Sequence, residues 1–125
     1  MNVLVDTSVW VDHFRNGNEA LANLIVLDFA LMHPMIIAET ACGTPPERAR
    51  TLRNMALLRP CKQAGLDEVM AFIEREKLYG LGCGLVDMVL LASTLITPGA
   101  TLWTLDKRLA GLAGRFGVAH QAARN

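Results

Sequence analysis

The stretch VLVDTSVWVDHF, residues 3–14, begins with three apolar residues and then reaches Asp6. An uninterrupted apolar run is typical of a strand that is buried on both faces, as in a parallel sheet. Asp6 and the two residues after it, Thr7 and Ser8, are residue types that begin helices. The stretch therefore predicts a buried strand that leads directly into a helix, which is the building unit of α/β proteins.

The same succession recurs along the chain. Apolar runs predict further strands at 31–36 and 101–105, although Pro34 disfavours the first of these, and weaker strand signals lie at 59–63 and 118–119. Helical patterns lie between these runs: one ends at Gly17, and the others are at 19–29, 37–42, 47–58, 66–79, 85–96 and 106–116. The sequence thus predicts an α/β fold in which helices flank a central, mostly parallel sheet. We expect one domain over residues 1–120 and a loose tail over 121–125.

The composition fits one packed domain in a reducing compartment. Of the 125 residues, 52% are hydrophobic and 19% are charged, which favours a folded core over disorder. Three cysteines without a C-x-x-C spacing indicate neither a disulfide framework nor a zinc site. The N-terminal residues lack the features of a signal peptide, and the apolar stretch 85–96 is too short for a membrane helix. We therefore expect a cytoplasmic protein without a membrane partner.

Four acidic residues stand in apolar surroundings. Asp6 ends the first strand, and Asp106 follows the apolar strand that contains Trp103. Glu39 and Asp87 are each the only charged residue in a long apolar stretch, and both are expected near the start of a helix. Ligands of open α/β sheets bind beyond the carboxyl ends of the strands, so these four acids can meet at one edge of the sheet.

Four carboxylates at one edge repel one another unless a cation neutralises them. The cation that suits oxygen ligands is Mg²⁺ or Mn²⁺, and such an ion can activate water for attack on a phosphodiester. Each acid taken alone is also compatible with a helix cap, Asp106 above all. The metal interpretation therefore depends on all four acids together.

The segments around these acids resemble the four acidic motifs of PIN-domain ribonucleases, in particular the compact VapC-type toxins. The matching segments are VDTSVWVDHF, IAET around Glu39, GLVDMVLLAS around Asp87 and LWTLDKRL around Asp106. The resemblance covers essentially the whole chain. It implies a PIN-like domain, an endoribonuclease activity that depends on Mg²⁺ or Mn²⁺, a cognate antitoxin and a homodimer. It also implies that Asp6, Glu39, Asp87 and Asp106 are the catalytic metal ligands and that Thr7, Ser8 and Thr104 are supporting hydroxyls.

The charge balance leaves the RNA contacts and two other functions open. Twelve basic and twelve acidic residues cancel, so a phosphate track must be local. Candidates for that track are Arg48, Arg50, Arg53, Lys107 and Arg108, which are equally compatible with a solvated surface. One alternative is a catalytically idle PIN-like module that binds an antitoxin. The other is an aspartate-based phosphotransfer domain, which is disfavoured because Ser8 stands where the phosphatase motif needs a second aspartate.

Overall fold

The computed structural model describes residues 1–122 and contains four strands and seven helices in that range. The strands are β1 (Asn2–Val5), β2 (Ala30–Met32), β3 (Arg59–Pro60) and β4 (Ala100–Trp103). The helices are α1 (Thr7–Asn16), α2 (Glu19–Val26), α3 (Pro34–Ala41), α4 (Arg48–Ala56), α5 (Leu66–Glu76), α6 (Leu85–Ile96) and α7 (Lys107–Arg115). Strands and helices alternate as the sequence predicts. Most of the tail expected at 121–125 lies outside the described residues.

The strands form one parallel sheet in the order β3-β2-β1-β4. β1 is central, and its Leu4 lies opposite Leu31 of β2 and Leu102 of β4. The strand predicted at 118–119 is reduced to a single parallel bridge between Leu102 and Ala119. The predicted α/β fold with a mostly parallel sheet is confirmed.

The core lies on both faces of this sheet. Val3, Leu4 and Val5 are completely buried, which explains the uninterrupted apolar run of β1. α6 and α7 supply further buried side chains, among them Leu90 and Leu109. The charged Asp6, immediately after β1, therefore stands at the border between this core and solvent.

The strand predicted at 31–36 is wrong beyond Met32. Pro34 takes the first position of α3, where its missing N–H costs nothing, and the His33 side chain caps the helix by accepting a hydrogen bond from the Met35 N–H (3.0 Å). α3 consequently begins three residues earlier than predicted. Glu39 lies in its last turn, and the expectation that Glu39 is near a helix start is wrong.

Two predicted helices end early because single residues turn the backbone. Asp28 and Lys77 adopt left-handed conformations, with φ of 59° and 54°, and so end the helices predicted at 19–29 and 66–79. Gly17, with φ 71°, ends α1 as predicted. None of the helices in residues 1–122 has the length and apolar character needed to cross a membrane.

Candidate active site

The acids that follow β1 and β4 lie at the same edge of the sheet. Asp6 comes directly after β1, and Asp106 comes three residues after the end of β4. Because these strands are parallel neighbours, their carboxyl ends are adjacent. The Asp6 N–H also donates to the Trp103 carbonyl (2.8 Å), which continues the strand pairing up to the acid. The fold thus positions Asp6 by backbone hydrogen bonds.

Two hydroxyl groups hold the Asp6 carboxylate, which is only 7% exposed. Ser8 Oγ and Thr104 Oγ1 donate to its Oδ2 at 2.7 and 2.8 Å. Each hydroxyl oxygen also accepts a backbone N–H at 3.0 Å, from Leu105 and Asp106 respectively. The hydroxyl protons are therefore directed at Asp6. This arrangement fixes Oδ2 and leaves Oδ1 as the oxygen that can bind a ligand.

Thr7 connects the site to α3. Its hydroxyl donates to Glu39 Oε1 at 2.6 Å and so joins the first residue of α1 to the last turn of α3. Thr7 and Glu39 also line a cavity of 370 Å³ between α1 and the residues after α3. Glu39 is exposed, so this hydrogen bond sets its orientation.

Asp106 is the N-cap of α7. Its Oδ1 accepts hydrogen bonds from the Arg108 and Leu109 N–H groups at 2.8 and 3.1 Å. The helix-cap interpretation therefore applies to Asp106. These bonds use one carboxylate oxygen, and the exposed side chain keeps the other available at the edge of the sheet.

The other three acids act electrostatically on Asp87. It lies half-buried in the first turn of α6 and accepts a hydrogen bond from the Gly84 N–H (3.2 Å). Burial raises the pKa of its carboxyl, and the negative charges of Asp6, Asp106 and Glu39 raise it further, against the lowering effect of the Gly84 hydrogen bond. Asp6, Asp106 and Glu39 are therefore each near enough to Asp87 to raise the pKa of its carboxyl.

The donor set fits a hard divalent cation that keeps part of its water shell. Among residues 1–122, no group of three or more Asp, Glu, His or Cys side chains is arranged so that it could hold a metal ion. A Mg²⁺ site needs fewer protein ligands, since Mg²⁺ is usually bound through one or two carboxylates and retains several waters. Asp6 and Asp106 each have one carboxylate oxygen outside the hydrogen bonds given above. These two acids are therefore candidate ligands by their geometry, and Glu39 and Asp87 stay candidates from the sequence.

The five basic residues named from the sequence are not equivalent. Arg48 donates to the Ala41 and Gly43 carbonyls and so closes the end of α3, and Arg50 forms an ion pair with Glu47. Both side chains therefore have partners within the protein, and their contact with RNA stays a prediction. Arg53, Lys107 and Arg108 are exposed, and the last two follow Asp106 directly. The candidate phosphate contacts nearest to the acids are therefore on α7.

The sequence did not indicate a role for two glycines before α6. Gly84 supplies the N–H that binds Asp87, and Gly82 contacts the Arg108 side chain. The available signal was the spacing G-x-x-D at 84–87, which is typical of a helix that caps its own first turn. The contact between Gly82 and Arg108 joins residues from distant parts of the chain, so no local pattern reveals it.

Comparisons with known proteins identify the family of this chain. The family model described as PIN domain matches residues 3–115. Two curated relatives, both named Ribonuclease VapC32 and from the CDC 1551 / Oshkosh and H37Rv strains of Mycobacterium tuberculosis, are each 41% identical over 117 residues. The match covers 94% of this chain and 94% of each relative. No solved structure gives a significant match. The resemblance predicted from the four acidic motifs is confirmed, and the chain belongs to the PIN domain family.

Proposed function

We propose that this protein is a metal-dependent endoribonuclease and the toxin of a toxin–antitoxin pair. The observation that carries the proposal is the group of four acids at the edge of a PIN-domain sheet, three of which raise the pKa of the fourth. The name ribonuclease, carried by relatives that match 94% of the chain, supports RNA as the substrate.

In the proposed site, Asp6, Glu39, Asp87 and Asp106 are the carboxylates that would hold Mg²⁺ or Mn²⁺, either directly or through its water molecules. The bound ion would lower the pKa of a water molecule and stabilise negative charge on the phosphodiester. The residues of this chain prepare the site before the ion arrives. Ser8 and Thr104 donate to Asp6, and Thr7 donates to Glu39; these hydrogen bonds support the proposed role of the three hydroxyls as groups that orient the acids.

We also infer a cognate antitoxin, a homodimer and a cytoplasmic location. Large apolar side chains are exposed on α5 and α6, including Leu66 at 60% and Met70 at 56%. Such residues are typical of surfaces that another chain covers. Cys42, Cys61 and Cys83 are free thiols, in agreement with a reducing compartment.

Asparagine substitutions test the proposed chemistry. Asp6→Asn and Asp87→Asn keep the size of the side chain but remove the charge that binds a divalent ion. We expect each to lower RNA cleavage by at least about a hundredfold, since loss of metal-bound water removes the nucleophile. EDTA should abolish cleavage by the wild type, and excess Mn²⁺ should restore it.

Glu68→Gln is the matched control. Glu68 occupies the same position in α5 as Asp87 in α6, and the Gly65 N–H donates to it at 3.3 Å. This variant should cleave RNA like the wild type. Cleavage that persists in EDTA, or in both asparagine variants, would contradict the metal site. A protein that binds its antitoxin but cleaves no RNA would be the idle module instead.

A further inference from the structure

The Arg108 side chain lies directly against the backbone of Gly82. A Cβ atom at Gly82 would stand 2.7 Å from Arg108 Nη1 and 2.9 Å from its Cδ, which is closer than non-bonded atoms approach. Gly82 also has φ +85°, in the region that favours glycine. The positive φ favours glycine here, and the Arg108 side chain occupies the space that a Cβ atom would fill, so a side chain at Gly82 would displace the guanidinium group.

This contact connects α7 to the segment that leads into α6. The Arg108 N–H binds Asp106, while Gly82 lies two residues before Gly84, whose N–H binds Asp87. The Arg108 side chain thus joins the first turn of α7, which Asp106 caps, to the segment two residues before Gly84. Cys83 lies near all three charged side chains. Burial raises the pKa of its thiol most, the negative charges of Asp87 and Asp106 raise it further, and the positive charge of Arg108 lowers it.

The guanidinium of Arg108 is available to an anion. Among the ion pairs within residues 1–122, none involves Arg108. Asp87 and Asp106 are nevertheless near, since both raise the pKa of the neighbouring Cys83 thiol. In contrast, Arg48 and Arg50 already have partners. A guanidinium offers a planar set of donors that matches two phosphate oxygens.

We propose that Arg108, seated on the backbone of Gly82, binds a phosphate group of the RNA at the acidic edge. The proposal rests on the proposed ribonuclease function and adds one phosphate-binding residue and its support. Four carboxylates repel the RNA backbone, so a fixed cation beside Asp87 and Asp106 offsets that repulsion where the strand must approach. Gly82 acts as a positioning residue, because its missing side chain leaves the space that the guanidinium occupies.

Two glycine variants separate the effect of displacing the Arg108 side chain from the effect of backbone strain. Gly82→Ala introduces the Cβ that displaces Arg108, in a backbone of φ +85°. Gly80→Ala is the matched control, since Gly80 lies in the same segment with φ +72° but has no atom within 4 Å of its Cβ position among the described residues. Both variants carry the same kind of backbone strain. Only Gly82→Ala should move the guanidinium.

RNA binding is the first measurement. The probe is a 2′-O-methyl oligonucleotide of mixed sequence in Mn²⁺, with its integrity checked on a gel. We expect Arg108→Ala and Gly82→Ala to weaken binding about tenfold, as loss of a hydrogen bond to a charged group does. The slope of log affinity against log salt should fall by about 0.7, the value for one phosphate contact on a single strand. Gly80→Ala should bind like the wild type, and Arg108→Lys should recover part of the salt slope.

The reactivity of Cys83 is a second measurement that does not involve RNA. In a Cys42→Ser background, alkylation reports mainly Cys83, because burial raises the pKa of the Cys61 thiol to about 11. Removal or displacement of the Arg108 cation should raise the pKa of the Cys83 thiol in Arg108→Ala and in Gly82→Ala. Gly80→Ala should leave it unchanged.

The outcomes distinguish this proposal from the proposed function. If the wild type cleaves RNA but Arg108→Ala binds the probe equally well, only the phosphate-binding role is overturned. Equal behaviour of Gly82→Ala and Gly80→Ala in both measurements would overturn the claim that Gly82 positions the Arg108 side chain. If the wild type neither cleaves nor binds RNA, the ribonuclease function fails together with this proposal.

Discussion

The ionised carboxyl of Asp87 lowers the stability of the metal-free protein. Its carboxyl is half-buried and faces three other acids, so its pKa in the folded protein lies above the ordinary value of 3.8. The folded state therefore binds this proton more tightly than the unfolded state does. As the pH rises from 3.8 through the folded pKa, the metal-free protein must lose stability from this group.

Asp87→Asn should remove that loss. The amide oxygen can still accept the Gly84 hydrogen bond, while the charge disappears. In EDTA, the free energy of unfolding of the variant should exceed that of the wild type by a margin that grows as the pH rises from 3.8 through the folded pKa of Asp87. Urea denaturation across this range measures the difference. Glu68→Gln, which changes the equivalent capping residue of α5, should show no such trend. A loss of about 2 kcal/mol in Asp87→Asn at neutral pH would instead identify Asp87 as a structural buried acid.

Single residues also show which parts of the site the sequence can predict. Asp6, Glu39, Asp87 and Asp106 stood out because a charge in an apolar stretch has a desolvation cost that needs a reason. The local sequence around Gly82 carried no comparable signal, since its partner Arg108 lies 26 residues further along the chain. An isolated charge can thus be recognised in a sequence, whereas a space that one residue leaves for a distant side chain can be recognised only in the three-dimensional structure.

At the level of elements, the site depends on the junctions where strands become helices. Ser8 after β1 and Thr104 after β4 both hold Asp6, and each accepts an N–H from the segment between β4 and α7. These hydrogen bonds connect the start of α1 to the loop between β4 and α7, and the pairing of β1 with β4 brings the two near each other. The sequence predicted both strands, but it missed where α3 begins because Pro34 fits the first turn of a helix better than a strand interior.

Thr104→Val should therefore destabilise the junction. The change keeps the shape of the side chain but leaves the Asp106 N–H and part of the Asp6 carboxylate without a partner, which costs about 1–3 kcal/mol. Thr94→Val is the control: Thr94 is also buried, but its hydroxyl donates to the Leu90 carbonyl of its own helix, so its removal should cost less. Urea denaturation of both variants compares them. Equal losses would show that the Asp6 network adds no stability.

At the level of the whole molecule, metal binding and folding should be coupled. Asp6 and Asp106 lie 100 residues apart in the sequence, and the pairing of β1 with β4 brings them to one edge of the sheet. The unfolded chain has no such arrangement, so an ion that binds the site binds the folded state alone. Its contribution to the free energy of unfolding is RT ln(1 + [M]/Kd), about 1.4 kcal/mol at ten times Kd.

Thermal melts with EDTA and with Mn²⁺ measure this coupling without RNA. For a domain of this size, about 1.4 kcal/mol corresponds to a rise in Tm of about 5 °C. The wild type and Glu68→Gln should both show this rise, whereas Asp6→Asn and Asp87→Asn should gain much less, because each loses one of the proposed ligands. The same rise in all four proteins would mean that Mn²⁺ binds away from the four acids. Since Asp87→Asn should already be the more stable protein in EDTA, a small gain in Mn²⁺ on top of that higher starting Tm separates a lost metal site from a damaged fold.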